Sequence, residues 1–494
     1  MLGVTKNLIT KQHLYLLLLI LTTLALGIIT VFNLNLGLVI IVVISFVFLD
    51  KLVDKNKLVN IQLIYLLFYI AIVGNIALFH LLPDSVLKLT IYSKDYLYIF
   101  FLAVGLYRLV LKYPKYINWL DLVFILYMIV NVTYLSVNHI PMRIKLMELR
   151  PIVYMFSAYL AGRILFNPAS SKVAKTLRLF LYSLAVTCIF SIMIGYLVGN
   201  EKFFFHLWPY VKAYNSIFGA DKLKGYRKFV LVTAGIPFVR LRDLNASFLS
   251  LGNSLFIGCI TIFAFVTLKI KLTKWDRLLF YFLLFTLLIS TSRAAAIAGI
   301  LSILLIIFVS QKFQRKSSNI IIIGGIALIA IFLMYERLYS VYTEIARWDI
   351  SKAHVGGWYK FCISLISYPF GHGFGYAGET INRFQHLPPD MGMSGEMMQG
   401  TVMAETGYIG LILFSGIFLI AAYYGYRIFK REGRNIWNSL GLAVFALNFG
   451  YYLIGLTKFD TFKFENTFVL FLLNGIVSRY YSTYYLRDLQ RYGR

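Results

Sequence analysis

Charge is what this chain has least of. Asp, Glu, Lys and Arg make up only 14% of its 494 residues, and the acids are scarcer still, 21 against 48 bases. Soluble domains carry about a quarter charged residues, so a soluble enzyme is excluded. The strict alternation of an outer-membrane barrel strand is absent too. The first apolar run, 14-LYLLLLILTTLALGIITVF-32, follows Lys6 and Lys11 and lacks a small-residue cleavage site, so it reads as a retained span rather than a signal peptide. Cys188, Cys259 and Cys362 show no CxxC spacing, which argues against a thiolate metal site or a disulfide framework. The sequence has no GxxxxGK[ST] and no Asp-x-Asp pair, so nucleotide-driven transport and nucleotide-sugar chemistry fit poorly.

What is present is hydrophobic length. The chain is 60% hydrophobic with mean hydropathy +0.75, and repeats apolar runs of roughly 17–25 residues, each able to cross a bilayer as a helix. The expected fold is all-α, one integral membrane domain over residues 1–494 with about fourteen transmembrane helices. The spans centre near Leu21, Val43, Ile70, Ala103, Leu126, Ser157, Leu184, Phe256, Leu284, Leu301, Ala327, Leu413, Val444 and Leu470. With the N-terminus inside, the loops 51-KLVDKNK, 108-RLVLKYPK, 171-SKVAKTLR, 269-KIKLTKWDR, 311-QKFQRKSS and 427-RIFKREGR become cytoplasmic, as does the tail 487-RDLQRYGR. All are short and basic, as the positive-inside rule requires. The formal charge of +27 is thereby assigned to membrane topology rather than to a nucleic-acid partner. No cytoplasmic loop is long enough to fold a nucleotide-using domain.

The polar mass falls outside. One external segment runs over residues 200–243 and another over 336–403, lengths that usually carry function rather than merely connect. The first has a basic excess, against the inside bias, which suits attraction to an anion at the outer leaflet or to anionic head groups. Arg240 and Arg242 immediately precede a span, Arg293 sits at a span junction with almost no loop, and Arg347, Arg143, Lys145 and Arg150 add outward positive charge. An arginine fork grips phosphate oxygens bidentately and stays charged at low dielectric, although such residues also snorkel to the interface. The second segment opens with 346-ARWDISKAHVGGWYKFCISLISYP-369, whose apolar face suits a helix lying along the interface and ending before Pro369. The run 369-PFGHGFG then reads as a tight glycine turn allowing close backbone approach, not as a dinucleotide fingerprint, because no strand precedes it.

Taken in order, Arg150-Pro151, Arg240/Arg242 before 245-NASFLSLGNSLFIG, 292-SR, 347-RW, 369-PFGHGFG and 404-AETGYIG resemble the bacterial O-antigen ligase and O-antigen polymerase superfamily over roughly residues 150–425. The resemblance implies a multi-span glycosyltransferase fold in the bacterial cytoplasmic (inner) membrane, both termini cytoplasmic, with its active site facing the periplasm or outside. It implies glycan transfer from undecaprenyl pyrophosphate with no cofactor, no nucleotide sugar and no required metal. Ligases carry a pattern like His-Asn-x-x-Leu ahead of Glu-x-Gly-x-x-Gly. Here the second half is Glu405, Gly407 and Gly410, and nine residues before Glu405 stands Glu396 where the ligase histidine would be. That departure favours a polymerase building O-antigen or capsule.

The chemistry asks for the same groups. A sugar hydroxyl attacks the anomeric carbon while lipid pyrophosphate leaves; fixed arginines neutralise the leaving group and one positioned base takes the hydroxyl proton. The expected substrate-binding set is Arg240, Arg242, Arg293, Arg347 and Arg150. The expected base is Glu396, with His386 and Asp390 as lesser candidates. Glu396 also suits a helix start capped by Ser394, and His386 a solvated loop. Tyr359, Trp358, Trp348, Tyr339 and Tyr214 offer sugar-stacking faces or membrane-interface anchors. The expected partners are undecaprenyl-pyrophosphate-linked donor and acceptor, membrane lipids and a chain-length-regulating membrane protein. A ligase and a lipid-linked oligosaccharide flippase are the alternatives.

Overall fold

The computed structural model describes residues 98–99, 101–112, 116–165, 173–199, 230–233, 236–239, 248–268, 274–290, 292–310, 361–363, 365–367, 369–377, 397–431, 435–456 and 464–485. Its main helices, in chain order, are α1 (Trp119–Thr133), α2 (Met142–Leu160), α3 (Val173–Met193), α4 (Phe248–Thr267), α5 (Lys274–Ile289), α6 (Arg293–Ser310), α7 (Met398–Arg431), α8 (Ile436–Gly455) and α9 (Phe464–Tyr480). Between α3 and α4 lies a short antiparallel hairpin, β1 (Val230–Thr233) and β2 (Ile236–Val239), with Val230 opposite Val239. The expected span centres at Ala103, Leu126, Ser157, Leu184, Phe256, Leu284, Leu301, Leu413, Val444 and Leu470 each fall in a helix. Those at Leu21, Val43, Ile70 and Ala327 lie outside the described residues.

Long apolar runs become helices because only a helix satisfies every backbone N–H and C=O within one segment. Among the described residues, three helical stretches are long and apolar enough to cross a membrane: Trp119–Ser136, Phe180–Val198 and Met398–Lys430. One side of α5 carries Trp275, Leu278, Tyr281 and Phe285 exposed, while Leu279, Leu283 and Leu287 are buried. An apolar outer stripe over an apolar inner one is the pattern of a helix facing lipid.

Local chemistry sets the helix starts. At α1 the Asn118 side chain accepts from the Leu120 and Asp121 amides at 3.0 and 3.1 Å, and the Asp121 carboxylate accepts from the Asn118 amide at 2.9 Å, closing a capping box. Asn435 caps α8 through its side-chain oxygen, which accepts from the Trp437 and Asn438 amides.

The bundle is organised around α8, buried along most of its length and packed against α4, α6 and α7. α7 also lies on α1, and α2 on α9. Where α7 crosses α8, Gly425 meets Gly441, and a Cβ on either would come within 2.6 Å of the other's carbonyl oxygen. Small residues at such a crossing let two membrane helices approach closely enough for dispersion to hold them.

Three helix ends meet on one side of the bundle. Asp121, at the start of α1, pairs with Arg163 just beyond α2 at 2.9 Å. Asp121 also accepts from the Tyr159 hydroxyl at 2.5 Å, while Asn118 donates to Ser478 and Ser482 at 2.8 and 2.7 Å. This ion pair sits at the helix ends, wrapped in hydrogen bonds. Removing either partner would strand a buried charge.

Candidate functional site

At the opposite end of α1 the two glycine motifs come together. Gly407 lies inside α7 with φ 65° and ψ −159°, a conformation essentially confined to glycine, and it breaks the helix between Thr406 and Tyr408. The break frees backbone groups that must be paired elsewhere if they are not to face an apolar surrounding. The turn 369–377 pairs them. The His372 amide donates to the Ala404 carbonyl at 2.8 Å, the Gly373 amide to the Glu405 carbonyl at 2.9 Å, and the Tyr408 amide to the Pro369 carbonyl at 2.9 Å.

Glycine is required on both sides of this contact. Gly371, Gly373 and Gly375 all have positive φ. A Cβ on Gly371 would lie 2.6 Å from the Gly407 nitrogen, and one on Gly407 would lie 2.3 Å from the Pro369 oxygen. The expected tight turn is present, and the close backbone approach it permits is to the broken helix. The turn is also held from α1's side. Tyr134 donates its hydroxyl to the Phe370 carbonyl at 2.7 Å, and the Asn138 amide donates to the His372 and Phe374 carbonyls, both at 3.0 Å. His372 stacks on Tyr376 with ring centroids 3.9 Å apart, and partial burial lowers its pKa below the usual imidazole value.

Beneath this turn lie two buried carboxylates, Glu405 on α7 and Glu148 on α2. Glu405 accepts the Gly375 amide at 3.0 Å and also bonds to the backbone of Ala377. It therefore clamps the turn to the first part of α7. Both acids, with Tyr127, Asn131, Pro151, Ile152, Thr401, Val402 and Thr406, line a cavity of about 20 Å3, room for about one water molecule. Pro151 lies inside α2 and has no N–H, which leaves the Met147 carbonyl without its usual helical donor.

Of the residues expected at the site, Arg150 is the one whose side chain is described. Glu148, Pro151 and Ile152 share one face of α2, and at 100° per residue Arg150 falls on the other. Its Nε donates to the Tyr154 hydroxyl and its guanidinium lies over that ring, 5.5 Å from the centroid. Arg293 is the first residue of α6, and the position of its side chain is not described. Glu396, His386, Asp390, Arg240, Arg242 and Arg347 lie outside the described residues. The segment expected to be external over 336–403 meets α7 already at Met398; residues 361–363 and 365–367 are helical and are followed by a turn at Pro369. Lys145 and Arg150, expected in an outer loop, stand instead on α2, which begins at Met142; Lys145 donates to the Leu135 and Asn138 carbonyls at 2.5 and 2.6 Å.

Glu405 is named as the glutamate of the motif 404-AETGYIG yet is not among the expected site residues, and Glu148, Tyr127 and Asn131 are missed altogether. The signal was available. Glu405 stands two turns inside an apolar run, and Tyr127 and Asn131 stand four apart within another. Polar groups at such places default to a functional reading.

The class defined by this architecture is that of a helical protein with spans able to cross a membrane and a broken helix at one end of its bundle. No family model matches this chain, and no curated protein does.

Proposed function

We propose that the protein polymerises undecaprenyl-pyrophosphate-linked oligosaccharide repeat units into surface polysaccharide, by glycosyl transfer on the outer face of the bacterial cytoplasmic membrane, from a bundle of about fourteen transmembrane helices. One observation carries the proposal. The motifs 369-PFGHGFG and 404-AETGYIG, separated in sequence, pack into a single unit around Gly407 beside buried carboxylates. Two motifs of the set thus form one place, which supports the reading.

In this reaction the acceptor hydroxyl attacks the donor's anomeric carbon and gives its proton to Glu396. The bond from that carbon to the pyrophosphate oxygen breaks, and the lipid pyrophosphate leaves with the electron pair. Arg240, Arg242, Arg293, Arg347 and Arg150 supply positive charge for the leaving group. Purified protein given a lipid-linked repeat unit should yield a ladder of lengthened products, and Glu396→Gln should abolish it while leaving the protein folded. No ladder, with transfer to a different added acceptor, would identify a ligase instead.

The helix break supports a second reading, a flippase for lipid-linked oligosaccharide. Discontinuous membrane helices recur in transporters, where freed backbone groups meet the substrate. Proteoliposomes would separate the two: translocation of a labelled lipid-linked glycan without lengthening favours the transporter.

A further inference from the structure

The seam between α1 and α7 leads into a cationic helix end. The two helices pack side by side, and they run antiparallel, because the Tyr424 hydroxyl near the end of α7 bonds to the backbone of Trp119 and Leu120 at the start of α1. Across the seam Gly416 faces Val123. A Cβ added there would lie 3.6 Å from Val123 Cγ1, an ordinary contact distance, so the missing side chain leaves a shallow furrow. Both walls of the seam are apolar and open: Ile412, Leu419 and Tyr423 are exposed on α7, and Trp119, Leu122 and Leu126 on α1. At 100° per residue, positions 412, 419, 423 and 430 fall within about 40° of one another, on one stripe of α7. From Ile412 to Tyr423 the stripe is about 16 Å long, about half the hydrocarbon thickness of a bilayer and therefore the reach of one acyl chain.

Charge begins where the apolar stripe ends. The stretch 421-AAYYGYRIFKR-431 holds three bases and no acid. Two of the bases stand over rings: the Arg427 Cζ lies 5.8 Å from the Tyr423 centroid, and the Lys430 Nζ lies 5.5 Å from that of Tyr426. The aromatic surroundings are themselves fixed. Tyr426 packs on Phe445 of α8 with centroids 5.5 Å apart, and Tyr424 stacks on Tyr481, just beyond α9, at 4.1 Å. A helix dipole favours cations at a C-terminus whichever way they point. Here the rings hold them to the side of α7 that carries the apolar stripe. A guanidinium and an ammonium three residues apart are neighbours on the helix surface, placed to share the oxygens of one phosphate diester.

We propose that the α1–α7 seam binds one anionic phospholipid. An acyl chain lies along Ile412, Leu419 and the furrow at Gly416, and the headgroup phosphate sits on Arg427 and Lys430. Trp119 stands at headgroup depth, the level that tryptophan and tyrosine favour in a membrane. Net negative charge selects the lipid, because a zwitterionic headgroup would bring its own cation beside the two bases. The seam's cationic end is the end of α1 away from the glycine turn. The site does not depend on glycosyl transfer and its test needs no lipid-linked substrate, so either proposal can fail alone.

The test is thermal unfolding of the full chain, delipidated in dodecyl maltoside and followed by intrinsic fluorescence, with dioleoylphosphatidylglycerol or dioleoylphosphatidylcholine added in matched amounts. Binding to the folded state should make phosphatidylglycerol raise the melting temperature saturably, by about 2 °C or more, with phosphatidylcholine giving less than about half that rise. Arg427→Gln with Lys430→Gln should shift the half-saturating phosphatidylglycerol upward by about tenfold or more. Lys274→Gln with Arg277→Gln removes the same charge from exposed positions at the start of α5, and should leave half-saturation within about twofold. Equal rises with the two lipids would overturn the site, and so would equal weakening in the two double variants, which would reduce the effect to general charge attraction. A rise reproduced by inorganic phosphate would overturn the phospholipid assignment. A second measurement serves where the Arg427 and Lys430 variant folds poorly. In vesicles, tail-brominated phosphatidylglycerol should quench tryptophan fluorescence more than tail-brominated phosphatidylcholine does, and Trp119→Phe should remove that excess. An excess that survives Trp119→Phe would overturn the placement of the lipid in this seam.

Discussion

Replacing Gly407 with alanine is the sharpest probe of how this bundle is built. The residue holds φ 65° and ψ −159°, where an L side chain is strained by about 1–3 kcal/mol. Its Cβ would fall 2.3 Å from the Pro369 oxygen and 2.6 Å from the Phe370 carbonyl carbon, both backbone atoms that cannot swing aside. Moving the turn away would sacrifice the hydrogen bond from the Tyr408 amide to Pro369, worth about 1 kcal/mol. Together these give a destabilisation of about 3 kcal/mol. The control is Gly416→Ala in the same helix, where among the described residues the Cβ would meet only Val123 Cγ1, at 3.6 Å, and alanine should stabilise by about 0.5–1 kcal/mol. Thermal unfolding of the two variants in detergent should therefore move in opposite directions, Gly407→Ala down by several degrees. Equal tolerance of the two substitutions would show that the helix break is not part of the folded state.

Breaking the Asp121–Arg163 pair with Asp121→Asn should destabilise by about 3–5 kcal/mol, because a buried guanidinium loses its counter-charge. Adding Arg163→Met should restore part of that loss, measured as a double-mutant cycle in thermal unfolding. His372, with its pKa lowered by burial, binds a proton more readily in the unfolded chain, so stability should fall as pH drops below about 6.5. His372→Gln should flatten that part of the pH profile; an unchanged slope would assign it to other groups. Cys362 is exposed whereas Cys188 and Cys259 are buried, so an impermeant maleimide should label intact cells through Cys362 alone if residues 336–403 face outward. Labelling only after permeabilisation would invert the topology.

Helix positions were legible because their cause is local. A run of Leu, Ile, Val and Phe long enough to cross a bilayer must satisfy its own backbone, and the centres at Leu126, Leu413 and Val444 follow from length alone. The turn at 369-PFGHGFG was legible for the same reason, since three alternate glycines announce positive φ. The hairpin at 230–239 was not foreseen; four-residue strands bounded by ordinary loop residues leave little periodic signal.

Partnership lies beyond such signals. Nothing in the residues of 371–375 says that their backbone will fill the gap in α7, because that pairing depends on two segments separated by a stretch of chain with no repeating pattern. The same holds for Glu148 and Glu405. Glu148 stands among Arg143, Lys145 and Arg150, Glu405 between Ala404 and Thr406, and only the packing of α1, α2 and α7 makes them walls of one cavity. Arg150 shows the converse: two residues from Glu148 in sequence, it is turned to the other face by the helical repeat. By itself, the sequence determined that this chain forms apolar helices and a tight glycine turn. The tertiary structure alone decided which polar groups meet, since burial and contact arise between segments whereas length and periodicity arise within one.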